Sequence, residues 1–217
     1  MPAVSIKGMT KAYDGRKVLD DLSFDLDRAE IAAVLGRSGS GKTTLLACIL
    51  GFVEPDSGEV VIDGKDVSGL TVRHRHIAYV PQDFGLFPHL DVAGNVGFGL
   101  AVRGAKAADI EAAVSRLLAL VELPADFAHK PVSELSGGQR QRVALARALA
   151  VEPRLFLMDE PLSAIDAETK TKVATELRAL IKRVGVPAII VTHDPAEVGL
   201  LSDSRWQLER GKLARME

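Results

Sequence analysis

Residues Ile31 to Thr44 read IAAVLGRSGSGKTT, and the fold is decided there. Ile31 to Leu35 is a short uncharged apolar run, the pattern of a strand covered on both faces. A glycine-rich loop follows, and Lys42 to Leu50 reads as a helix closed by Gly51. Gly36 to Thr43 (GRSGSGKT) fits G-x-x-x-x-G-K-[ST], a match expected by chance on the order of once in a hundred chains of this length. A strand before the loop and a helix after it are the context in which this pattern carries chemistry. Gly36, Gly39 and Gly41 let the backbone curl with its N–H groups turned inward, and the helix N-terminus adds a favourable dipole for phosphate. Lys42 is expected to reach the β- and γ-phosphates of ATP, and the Thr43 hydroxyl to give Mg2+ a hard oxygen ligand. Arg37, Ser38, Ser40 and Thr44 are expected to contact the same nucleotide.

Working outward, two further apolar runs, Leu155 to Met158 (LFLM) and Ala188 to Val191 (AIIV), read as strands buried on both faces. The first delivers Asp159 and Glu160 at its C-terminal edge, where ligands gather in open parallel sheets. Asp159 is expected to hold magnesium through a water and Glu160 to act as general base on the attacking water. His193 follows the second strand, so it lies at the same edge and can hold water and base in register. Glu59 to Ile62, ending in the turn Asp63-Gly64, and Ile77 to Val80 are further strands. Ile110, Val114, Leu117, Leu118 and Val121 make one helical stripe stopped by Pro124, and Val173, Leu177, Leu180, Ile181 and Val184 make another closed by Gly185. From about Phe84 to Ala150 no strand is legible. Alternating strands and helices make an α/β chain with a mostly parallel sheet.

Composition narrows the function. The 217 residues are 47% hydrophobic and 26% charged, which suits one folded domain. A formal net charge of -2 argues against nucleic acid as the main partner. The single cysteine, Cys48, allows no internal disulfide and reads as a buried apolar residue. Met1 to Lys11 lacks the apolar core of a signal peptide, and no apolar run approaches the ~20 residues of a membrane span. Any work at a membrane is therefore expected through a partner.

Leu135 to Gln139 reads LSGGQ and precedes the helical stretch RQRVALARAL. Ser136, Gly137 and Gly138 form a second anion nest at a helix start, and one chain does not need two nests for one nucleotide. With that motif in place, the sequence resembles the nucleotide-binding subunit of an ABC transporter from Val4 to about Leu213. The resemblance implies a P-loop NTPase fold: a RecA-like, mostly parallel core sheet (1–83 and 151–217), an N-terminal antiparallel β region and an inserted α-helical subdomain (about 84–150). It implies that Tyr13 stacks on adenine, that Gln82 contacts magnesium and the attacking water, and that Ser163 to Asp166 is the D-loop. It also implies that Ser136, Gly137, Gly138 and Gln139 grip the ATP of a second, head-to-tail subunit. Lys42, Gln82, Glu160 and His193 are then the catalytic set, and Thr43, Gln82 and Asp159 the magnesium set.

Asp83 to Leu100 resembles the importer branch, in which Phe84, Leu86, Phe87 and Pro88 line a groove for a helix of the membrane subunit. The other reading of these four is subdomain core. Gly94 stands where importers often carry glutamate, and Ile165 where the D-loop usually has leucine. The expected protein is an ATPase paired with itself or another ATPase subunit when ATP is bound. It would be peripheral, on the cytoplasmic face of the plasma membrane. It would serve two transmembrane permease subunits, with room for a substrate-binding protein and no nucleic acid. No C-terminal regulatory domain is expected after Gly211-Lys212. Exporter, lipoprotein-release and non-transport ABC ATPases are the alternatives.

Overall fold

The computed structural model describes residues 1–217. Strands β1 (Val4–Tyr13) and β2 (Arg16–Leu26) form a hairpin closed by Asp14 and Gly15, whose φ values of 49° and 76° suit a two-residue turn matched to strand twist. Strand β3 (Ile31–Leu35) leads into α1 (Lys42–Leu50), then β4 (Ser57–Ile62), β5 (Lys65–Asp66) and β6 (Ile77–Val80). Helices α2 (Val92–Val102), α3 (Ala107–Leu120) and α4 (Gly137–Ala150) follow with no strand among them. The chain continues through β7 (Leu155–Asp159), α5 (Ala167–Val184), β8 (Ala188–Thr192), α6 (Pro195–Leu201), β9 (Ser204–Glu209) and β10 (Lys212–Arg215). The expected strands at Ile31, Glu59, Ile77, Leu155 and Ala188 fall within two residues of these bounds. No helix is long and apolar enough to cross a membrane.

The strands make two sheets. The first is antiparallel, in the order β2-β1-β4-β5; the second runs β10-β9-β3-β8-β7-β6 and is parallel apart from β10. Side chains alternate across a strand, so each central strand feeds two separate cores. Phe156, Met158, Ala188 and Ile190 enter a cluster completed by α2 to α5, while Leu155, Leu157, Ile189 and Val191 enter one completed by α1 and the antiparallel sheet. Burial on both faces is why these strands carry no polar alternation. On α1, Leu45, Leu46 and Ile49 are fully buried, each worth about 1.5–3 kcal/mol relative to exposure.

The helix ends are set by side chains. Ser136 and Gln139 form a capping box at the start of α4: Ser136 Oγ accepts from Gln139 N (3.3 Å) and Gln139 Oε1 from Ser136 N (3.0 Å). Asp166 caps α5, and Gly185 ends it in a left-handed conformation. At the end of α1, buried Arg75 donates to the carbonyls of Cys48 (3.0 Å) and Ile49 (2.8 Å), and also to those of Ser68 and Leu70. A Cβ on Gly51 would lie 2.6 Å from Arg75 Nε, so the close approach of that guanidinium requires glycine there.

Parallel pairing delivers the loops of interest to one edge. Leu35 pairs with Thr192, Val191 with Asp159, and Met158 with Val80. The segments beginning at Gly36, Gln82, Glu160 and His193 therefore leave the sheet side by side.

Candidate functional site

A cleft of ≈ 730 Å³ at that edge is lined by Arg37, Ser38, Gly39, Gly41, Lys42, Thr43, Thr44, Gln82, Asp159, Glu160, His193 and Val18. The loop that forms its floor leaves β3 with Gly36 N donating to Thr192 O (3.1 Å). Gly39 (φ 76°) and Gly41 (φ 107°) adopt conformations that side chains disfavour. At Gly41 space is a second constraint, because a Cβ would lie 2.9 Å from Val18 O. Gly36 differs from the expected backbone role: its φ is not positive, and its need for glycine is steric, with Leu208 O 3.0 Å from where a Cβ would sit. Lys42 is 8% exposed and donates to Gly36 O (2.8 Å) and Arg37 O (3.2 Å), so its ammonium is fixed inside the loop.

The acidic wall comes from β7. Asp159 is half-buried, and burial raises its carboxyl above the usual carboxylate range, helped by the charge of Glu160. Lys42 and a hydrogen bond from the Tyr79 hydroxyl act in the opposite sense. Burial and the Asp159 charge push the Tyr79 hydroxyl up to about 12, so it remains a donor at neutral pH. Glu160 has φ 46°, held by Glu160 N donating to Val191 O (2.9 Å) and Glu160 O accepting from Ser163 N (3.0 Å). That turn brings Glu160 Oε1 to 2.9 Å from His193 Nδ1. The oxygens of Thr43, Gln82 and Asp159 are hard donors on one cleft, with a single carboxylate among them. Such a set suits a small divalent cation that keeps waters and takes its remaining oxygens from a phosphate.

The structure therefore brings together every expected catalytic residue, Lys42, Gln82, Glu160 and His193, and every expected metal residue. Tyr13 does not line this cleft; it ends β1, 46% exposed, with Lys11 Nζ 5.7 Å from its ring centroid. Ser136, Gly137, Gly138 and Gln139 lie elsewhere. They line a second cleft of ≈ 710 Å³ with Asp166, Thr169 and Lys172, and the two clefts share no residue. No atom would lie within 4 Å of a Cβ on Gly138, so the backbone of the α4 start is open to that cleft. The Gln139 carboxamide oxygen is engaged in the capping box with Ser136 N. Of the four expected groove residues, Phe84 is core at 3% exposure, Leu86 and Phe87 are half-buried, and Pro88 is exposed. Sequence reasoning missed Val18, which comes from the neighbouring hairpin, and Tyr79, whose strand position gave no sign of its influence on Asp159.

A comparison with known families gives a match to the ABC transporter family over residues 19–163, a span that holds the glycine-rich loop, Gln82, LSGGQ and Asp159-Glu160. The chain belongs to the ABC transporter family. This ABC transporter family member is 44% identical over 212 residues, 98% of its length, to the Fe(3+) ions import ATP-binding protein FbpC of Streptomyces coelicolor. It spans 61% of that relative's length. Membership accounts for the P-loop α/β architecture in which an antiparallel sheet packs beside a mostly parallel one.

Proposed function

We propose that this chain binds Mg-ATP and hydrolyses it to ADP and phosphate as one half of an ATP-bound pair that drives import through membrane-spanning permease subunits. One observation carries the paired arrangement: the phosphate loop and the LSGGQ nest occupy clefts with no residue in common. Two helix starts built for anions, too separate to serve one ligand, are accounted for when each nucleotide sits between the loop of one chain and the nest of another. The named role of the Streptomyces relative in Fe(3+) import supports import as the direction.

The division of labour follows from the geometry. The loop's backbone N–H groups and Lys42 bind and orient the phosphates. A magnesium ion, held by Thr43 and Asp159 with Gln82, would neutralise phosphate charge. His193 Nδ1 holds Glu160 Oε1 at 2.9 Å, which leaves Oε2 to accept the proton of the attacking water. Asp166 and Thr169, on the rim of the second cleft, are carried by α5 and face the paired chain in this arrangement. Helices α2 to α4 act as a subdomain that docks the permease around Phe87 and Phe98, whose rings lie 4.5 Å apart. Phe98 remains 40% exposed there. The working location is peripheral, at the cytoplasmic face of the membrane.

Comparing Ser136→Ala with Lys42→Ala tests the arrangement. Both should lose turnover, but only Lys42→Ala should weaken ATP binding to the isolated monomer. An equal loss of monomer affinity in the two variants refutes the paired site. Co-purification with permease subunits, and the direction in which they move cargo after reconstitution into vesicles, test import.

A further inference from the structure

His193 is 61% exposed at its side chain, and its polar partner is Glu160. Its aim therefore depends on the backbone that carries it, and both of its neighbours are tied to one cluster built around a buried carboxylate. Glu197, in α6, is 3% exposed. Its Oε2 accepts from Thr192 Oγ1 at 2.5 Å, and its Oε1 lies 2.7 Å from Lys170 Nζ. Lys170 Nζ also lies 2.8 Å from Asp194 Oδ2, and Asp194 N donates back to Thr192 Oγ1 at 3.1 Å. Thr192, 1% exposed, closes the set by accepting from Gly36 N through its carbonyl.

We propose that Lys170 is a positioning residue for His193, clamping the loop from Thr192 to Asp194 to the first turn of α5. The cluster does not touch the nucleotide cleft: Lys170, Glu197 and Asp194 are all absent from its lining. A charge pair on a buried carboxylate such as Glu197 contributes little net stability against an apolar replacement, while fixing geometry closely, which fits orientation as the role. The placement of Lys170 adds a second function. It follows by one turn the cap Asp166, which with Thr169 lines the LSGGQ cleft. Lys170 thus links the first turn of α5, which carries the rim of the second cleft, to the backbone on either side of His193, so a paired chain pressing on the start of α5 acts on His193 through that backbone. This inference rests on the proposed ATPase reading.

The test uses the full chain with Lys170→Met, His193→Ala, the combination of these two, and Lys170→Met/Glu197→Gln. The last removes the buried carboxylate's charge together with its partner, so no buried charge is left orphaned, and Asp194 stays partly exposed to water. Turnover by Lys170→Met and by Lys170→Met/Glu197→Gln should fall about ten- to a hundredfold, the usual cost of losing a group that orients a catalytic one. The KM for ATP should stay within about twofold. In the His193→Ala background Lys170→Met should cost nothing further. The His193 imidazole NMR signals should shift and broaden in Lys170→Met while those of His74, His76, His89 and His129 stay in place. Wild-type turnover by the folded Lys170→Met/Glu197→Gln chain overturns the inference, as does an undiminished Lys170→Met penalty when His193 is alanine. A wild-type chain that never hydrolyses ATP overturns the ATPase reading instead, and an unchanged His193 signal then overturns the clamp independently.

Discussion

Replacing Glu160 with glutamine tests the chemistry most directly. Glutamine keeps the volume of the side chain and a carbonyl oxygen to meet His193 Nδ1, now 2.9 Å from Glu160 Oε1. It can also inherit the φ of 46°, so the fold should be unaffected. Only the proton acceptor is lost. A general base supplies about 10²–10⁴ in rate. The Glu160 side chain is 15% exposed, which gives bulk water little room to take over its role. The loss should therefore lie near the top of that range, about 10³–10⁴ in kcat, or about 4–5 kcal/mol of transition-state stabilisation. ATP affinity should persist, and the stalled ATP-bound pair should elute as a dimer in size-exclusion chromatography. Phosphate release measured under steady-state conditions reads kcat, and a single-turnover measurement isolates the chemical step. A Glu160→Gln chain that releases phosphate at the wild-type rate would remove Glu160 as the base.

Other outcomes follow from the same geometry. Gly41→Ala combines a disfavoured φ with a Cβ 2.9 Å from Val18 O, and should cost about 2–5 kcal/mol in urea unfolding together with ATP binding. Arg75→Met strands the carbonyls of Cys48, Ile49, Ser68 and Leu70 and should cost about 3–5 kcal/mol by the same measurement. Hydrogen bonds from Lys170 and from the backbone N–H of Ala196 hold the Asp194 carboxyl below its usual range. Its contribution to stability is thus present above the unfolded carboxylate value and lost as pH falls through the lower folded one. The stability difference between wild type and Asp194→Asn should accordingly shrink below about pH 4, and a difference that grows there would contradict the pairing. Burial pushes the Cys48 thiol up to about 11, so a thiol reagent at pH 8 should label it only as the chain unfolds.

The central strands and the residues at their ends were legible because the physics that makes them is local. LFLM and AIIV are buried on both faces, and a run of apolar residues says so without knowledge of the partners. Strand β1 was not legible from pattern. Its pairing with β2 shifts register between Ile6 and Met9 and again between Met9 and Lys11, which destroys the alternation. Helix α2 was hidden by Gly94, Gly97 and Gly99, which lower helix propensity. Contacts far along the chain explain two of them. A Cβ on Gly97 would lie 2.6 Å from Ile110 Cγ2, and one on Gly99 would lie 2.6 Å from Val151 Cγ1. The glycines trade intrinsic helicity for close packing. At the site, Asp159, Glu160 and His193 could be placed from strand ends and Gln82 from the family resemblance, whereas Val18 and Tyr79 enter through the packing of neighbouring strands.

The split of β7 and β8 between two cores guards against a particular kind of error. Sliding either strand by one residue would send every side chain into the wrong compartment, bulky Phe156 trading places with Leu155 and Ile190 with Ile189. Asp159 and His193 sit at the tips of those same strands, so the slip would also misplace the acid and the imidazole. A molecule assembled wrongly is thus both unstable and inert, and proofreading of shape serves as proofreading of chemistry.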